Sequence, residues 1–198
     1  MCHVSPDEAG AAAAGTARRL FFALWPNEDQ RERLAEVVHP AVRASGGRAV
    51  PAAQLHLTLA FLGSVPAPRV APLAGIARAA AQVIPDGRIE LSLDHLAHWA
   101  RPRVLCALPG RAPAALGALA ERLLVALSAA GFTPDLKPFR PHVTVARKVV
   151  RPREAATLPA VHWRFEAFAL IESRTLESGP VYSLLEAYPL YGAARTTK

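Results

Sequence analysis

Sulfur is scarce in this chain: its 198 residues include two cysteines and one methionine. Two thiols cannot form the disulfide framework on which small extracellular folds rely, so stability has to come from a packed core. Cys106 lies in an apolar run and reads as a small buried hydrophobe, not a nucleophile. Long hydrophobic runs are absent too. No stretch approaches the roughly eighteen apolar residues of a membrane span, and no membrane partner is expected. Met1 to Gly15 lacks both a basic start and a leucine-rich stretch, which predicts a cytoplasmic protein with a flexible N-terminal extension over residues 1–17. A Gly-rich loop ending in Lys-Ser or Lys-Thr, the device that cradles nucleotide phosphates, is also missing, so chemistry independent of ATP is expected.

Acidic residues are the rarer charge, 16 against 23 Lys and Arg, leaving a net charge of +7. Such an excess favours a polyanion, RNA first, because neutralised phosphates release counterions. A composition rich in arginine and alanine yields the same excess without functional demand, so placement says more than the total. Lys137, Arg140, Arg147, Lys148, Arg151 and Arg153 cluster around one short segment, His142 to Ala146.

Hydrophobic residues make up 52% of the chain, enough for one core or for two small lobes sharing a cleft. Arg18 to Trp25 reads as a buried strand, followed by a helix over Glu28–Ala44 that Gly46 and Gly47 end. A strand over Gln54–Leu62 and a helix over Pro68–Val83 follow. Arg88–Leu93 and Arg103–Leu108 pair as a hairpin whose insert carries His95, His98 and Trp99. A helix over Ala112–Ala130 stops at Gly131, and Pro134, Pro138 and Pro141 impose an extended approach to the next strand. Trp163–Ser173 and Tyr182–Leu190 are two final strands. This order predicts an α+β protein with helices outside antiparallel sheets.

Two segments repeat one another: His56-Leu57-Thr58-Leu59-Ala60 and His142-Val143-Thr144-Val145-Ala146. In a strand, each histidine shares a face with the threonine two places on, while the leucines or valines face the core. Two copies across one groove supply two proton-transfer groups and two hydroxyl donors, a set suited to in-line attack at phosphorus. The copies lie in two similar halves of the chain, which predicts a pseudo-twofold arrangement with both strands at the centre. By the same parity Phe61 joins Leu57 and Leu59 in the core, while Trp25 and Trp99 remain possible stacking faces for a base.

With these motifs the chain resembles the 2H phosphoesterases, and among them the bacterial RNA 2′,3′-cyclic phosphodiesterases described as 2′-5′ RNA ligases. The resemblance rests on Arg18 to Leu24, His56 to Gly63, Arg101 to Leu105, Arg140 to Arg147, Glu172 to Arg174, and Gly179, Pro180 and Tyr182. It implies a bilobal α+β fold, residues 18–192 forming one domain whose pseudo-symmetric lobes line a central cleft, acting as a monomer with no metal and no cofactor. It also implies roles: His56 as proton donor, His142 as proton acceptor, Thr58 and Thr144 as phosphate-binding hydroxyls, and Arg147 as a further phosphate contact. Arg147 has the parity of Val143 and Val145, so a bulge or a strand end has to turn it inward. Arg140 has cleft parity and stands as a possible substrate contact.

The chemistry to expect is hydrolysis of an RNA 2′,3′-cyclic phosphate end to a 2′-phosphate, with reverse 2′-5′ joining open to the same groups. Small cyclic nucleotides or 2′-5′ linked nucleotides are alternative substrates. A non-catalytic RNA-binding module using the same cleft is a second alternative, and a metal-dependent phosphatase a third, although neither motif supplies a carboxylate or thiol ligand. The other histidines, among them His95 and His98, are read as surface or loop residues.

Overall fold

A computed structural model describes residues 17–135, 137–151, 154–176 and 179–191. The expected extension therefore lies outside the described residues, apart from Ala17. Among the described residues, nine strands and three α-helices follow in the order β1 (Arg18–Leu24), α1 (Glu28–Ser45), β2 (Arg48–Ala49), β3 (Leu57–Val65), α2 (Pro72–Ala81), β4 (Ile89–Trp99), β5 (Val104–Pro109), α3 (Ala114–Ala129), β6 (Val143–Arg147), β7 (Ala156–Phe165), β8 (Ala167–Leu176) and β9 (Gly179–Pro189). No helix among the described residues is long and apolar enough to cross a membrane.

Local chemistry sets the first helix. The Asn27 side chain accepts from the Gln30 backbone N–H at 2.9 Å, and the Gln30 side chain accepts from the Asn27 N–H at 3.1 Å, closing a capping box. Glu28 and Asp29 occupy the positive end of the helix, and Gly46, at φ 63°, stops it in the left-handed region. The second helix is shorter than expected because Ala67–Arg69 forms a separate 3-10 turn ahead of Pro72.

The strands form two antiparallel sheets, ordered β3-β1-β8-β9 and β2-β6-β5-β4-β7. This is the expected bilobal α+β architecture, but the lobes are not the two halves of the chain. Strand β1 pairs with β3 on one side and with the C-terminal β8 on the other, β8 in turn pairing with β9, while α1 packs on β7 and β6 of the other sheet. The α2 and α3 helices cover the four-stranded sheet through β9 and β3. Each lobe is thus assembled from both halves, because sheet order follows hydrophobic pairing and not chain order.

Two further expectations are corrected. The strand expected over Trp163–Ser173 divides at Glu166: β7 pairs with β4 and β8 with β1. The residues facing the main core shift there, from Val161, Trp163 and Phe165 at odd positions to Phe168 and Leu170 at even ones. A second slip, at Asp94, bulges β4 between Leu93 and His95. That bulge hides one continuous strand behind what reads as an insert carrying His95, His98 and Trp99.

Leu20, Phe22 and Leu24 point to the main core under the helices, whereas Phe21 and Ala23 join Ala169 and Ile171 on the opposite face of the same sheet. This small apolar floor, with Trp25, Phe61 and Tyr182 packed on it, is where the cleft begins.

Candidate active site

Each motif histidine is oriented by the same local contact. A carbonyl can only accept, so the 2.7 Å contact from His56 Nδ1 to the Gln54 carbonyl fixes the hydrogen on Nδ1, and His142 Nδ1 makes the equivalent 2.7 Å contact to the Arg140 carbonyl. In both rings Nε2 is left as the nitrogen that gains or loses a proton. Gln54 in turn donates its side-chain N–H to the Pro180 carbonyl at 2.7 Å, tying the approach to β3 to the first residues of β9.

Beyond each histidine the strand bulges at the same place. Opposite β1, Thr58 faces Ala23 and Ala60 faces Phe22, so Leu59 is the extra residue. Opposite β5, Thr144 faces Cys106 and Ala146 faces Leu105, so Val145 is the extra residue. A bulge reverses the parity of every residue beyond it. Arg147 therefore returns to the histidine face, as the sequence requires if it is to meet phosphate. Phe61, the matching position after the first motif, returns as well, which corrects its expected place in the core: it lines the cleft beside His56 and Thr58.

His56, Thr58, His142, Thr144 and Arg147 together line one cavity of about 70 Å³, with Gln54 and Val50 completing it. A wider hollow of about 420 Å³ leads out of it past Phe61 and Tyr182. Arg147 reaches the Tyr182 hydroxyl at 3.4 Å through Nη2. Arg140 does not line the small cavity; its exposed guanidinium lies over the Trp99 ring, 5.3 Å from the centre. Of the expected basic cluster, Lys137 is paired with Asp135 at 3.0 Å, and Arg153 lies outside the described residues.

A second symmetry escaped the sequence. Arg31 lies over Trp25 at 4.7 Å, and Trp25 stacks on His56 with centroids 5.5 Å apart. Arg140 lies over Trp99, which meets His142 at 4.5 Å. Each imidazole is thus backed by a tryptophan capped by an arginine. Spacing gives no hint of Arg31, because it belongs to α1, whose polar residues read simply as a solvated face.

The two rings differ in proton affinity. Burial pushes His56 down to about 4, partly offset by the Gln54 carbonyl and reinforced by the positive charges of Arg147, His142 and Arg31. His142 is also held below the usual imidazole range, by burial first and then by Arg140, with its carbonyl contact opposing both. Cys106 is buried, its thiol raised to about 12 chiefly by desolvation, as expected of an inert core residue. His95 and His98 lie on a strand and not in a loop. Among the described residues, no three His, Cys, Asp or Glu side chains are grouped to hold a metal ion.

Twin His-x-Thr strands facing one cleft in a bilobal α+β frame define the 2H phosphoesterase class. The chain belongs to the 2′-5′ RNA ligase superfamily, whose family profile matches residues 26–176. It is 34% identical over 183 residues to an RNA 2′,3′-cyclic phosphodiesterase of Thermus thermophilus, covering 88% of this chain and 91% of that one. It is 31% identical over 182 residues to the protein of the same description in Escherichia coli, with coverage of 87% and 97%. The crystal structure of E. coli LigT complexed with 3′-AMP superposes with a TM-score of 0.78 at 28% identity, over 88% of this chain and 98% of that one.

Proposed function

We propose that this protein hydrolyses RNA 2′,3′-cyclic phosphate ends to 2′-phosphates by acid–base catalysis between His56 and His142. The observation that carries the reading is the shared cavity: both imidazoles, both threonine hydroxyls and Arg147 border one space of about 70 Å³. Relatives described as RNA 2′,3′-cyclic phosphodiesterases support the substrate. The cleft is complete within one chain, which supports a monomer as the working unit.

In the proposed step, a water oxygen attacks phosphorus in line with the P–O3′ bond. Its proton passes to Nε2 of His142, the P–O3′ bond breaks, and His56 returns a proton to O3′, leaving the phosphate on O2′. Thr58, Thr144 and Arg147 hold the non-bridging oxygens as charge gathers there. With a 5′-hydroxyl in place of water in the same step, the P–O5′ bond forms as the P–O3′ bond breaks, and the same groups join two ends through a 2′-5′ linkage. One observation favours exchanging the two roles: His56 has the lower proton affinity, pushed down to about 4, which suits an acceptor, while His142 keeps its proton more readily.

Incubation of an RNA ending in a cyclic phosphate, with a chelator present, tests the reading. A 2′-phosphate product is expected, and turnover in His56→Ala and His142→Ala is expected to fall by about 10²–10⁴-fold. Near-normal turnover in either variant overturns the two-histidine mechanism, and binding without turnover in the wild type favours a non-catalytic module. An aryl phosphodiester, whose leaving group needs no proton, settles the roles: only the variant lacking the donor regains activity on it.

A further inference from the structure

The hollow of about 420 Å³ begins at His56, Thr58 and Arg147 and runs outward over the four-stranded sheet to Arg19, Ser173 and Thr175. On the paired strands β1 and β8, Arg19 stands opposite Ser173, and Phe21 stands opposite Ile171 one step further in. Two residues along a strand span about 6.6 Å. Arg19 is therefore one such step outward from Phe21, whose ring centre is 4.9 Å from that of His56.

The Arg19 guanidinium lies over Phe61, 4.8 Å from the ring centre. The ring fixes the cation in place while leaving its N–H edges to donate. Among the described residues, no acidic side chain lines the hollow. The nearest carboxylate along the strand, Glu172, alternates to the opposite face and is held there by Arg18 at 2.9 Å. Among the described residues no carboxylate pairs with Arg19, so this cation and the Ser173 and Thr175 hydroxyls form a set of donors without an anion.

An RNA end closed as a 2′,3′-cyclic phosphate has both of those oxygens in the ring. The rest of the strand leaves through O5′, and its first anion is the phosphodiester one nucleotide away. We propose that Arg19, Ser173 and Thr175 bind that phosphodiester, so that the site reads a polynucleotide strand and not only its terminal nucleotide. The proposal rests on the reading that the inner cavity opens a cyclic phosphate.

The test is steady-state kinetics on a short RNA ending in a cyclic phosphate and on a nucleoside 2′,3′-cyclic phosphate, at several salt concentrations. In Arg19→Met, which keeps an apolar stem over Phe61, the ratio of kcat/KM for RNA to that for the nucleoside falls about five- to tenfold, through KM. Arg19→Lys recovers part of the loss, and Ser173→Ala lowers the ratio in the same direction. For the RNA alone, the slope of log KM against log salt shrinks by about 0.7 in Arg19→Met, the share of one single-strand phosphate. An unchanged ratio and slope in Arg19→Met and Ser173→Ala overturn the proposal, as does a ratio that falls in Arg140→Met instead, which would send the strand past Trp99. If the wild type turns over the nucleoside but the ratio is unmoved, the tail site alone fails; if it turns over neither substrate, the reading of the inner cavity fails with it.

Discussion

His56 and His142 make the same Nδ1 contact, yet the ring enclosed by Phe21, Trp25 and Tyr182 is the harder to protonate. Its consequence for stability has a definite sign. An unfolded chain restores His56 to its ordinary value of 6.5, while the folded value is about 4, so between those two pH values the unfolded state binds the extra proton. Stability from this source is constant above about pH 6.5 and is lost as pH falls from there to about 4. Over that range the melting temperature of the wild type is expected to fall relative to that of His56→Gln as the pH drops, because the variant lacks this loss. Parallel melting curves would remove burial of the ring as the cause. The histidines and threonines were legible as residues because alternation alone places each pair on one face. Phe61 was misread because parity counting assumes an unbroken ladder, and the bulge at Leu59 breaks it.

At the scale of elements, the first helix does more than cover a sheet. Arg31 donates through Nη1 to the Ala53 carbonyl at 3.1 Å, in the 3-10 turn that also carries the acceptor for His56. Its own cation is desolvated, which lowers its proton affinity, and it adds to the positive field at His56 from Arg147 and His142. Removing that charge favours the imidazolium. In Arg31→Gln the limb of the pH–rate profile governed by His56 moves to higher pH by about 0.3–1 unit, and Arg31→Lys leaves it near the wild-type position. A profile that keeps its shape while the rate falls would reduce Arg31 to a packing role. The helices were readable to within a few residues from caps and apolar periodicity, Asn27 and Gly46 fixing the first of them. The strand division at Glu166 had a visible signal in the parity slip between Phe165 and Phe168, but no glycine or proline marks it.

Across the whole molecule, the exchange of strands and helices between lobes makes one continuous core out of both halves of the chain. Because this main buried cluster draws on both sheets, urea unfolding is expected to be a single transition, with far-UV circular dichroism and tryptophan fluorescence coinciding. Two separated transitions would show that the lobes fold independently. Sequence alone suggested twin halves because the motif repeats; which strand pairs with which depends on contacts far apart in the chain, and local periodicity does not record them. The pairing of β1 with β8, and of His56 with Tyr182 from β9, also sets a schedule. While the polypeptide is still being made, His56 has already left the ribosome but half of its surroundings have not been translated. The wall of the cleft that carries Tyr182 is therefore missing until β9 has emerged, and a chain that stops short of Gly179 holds both motifs without it.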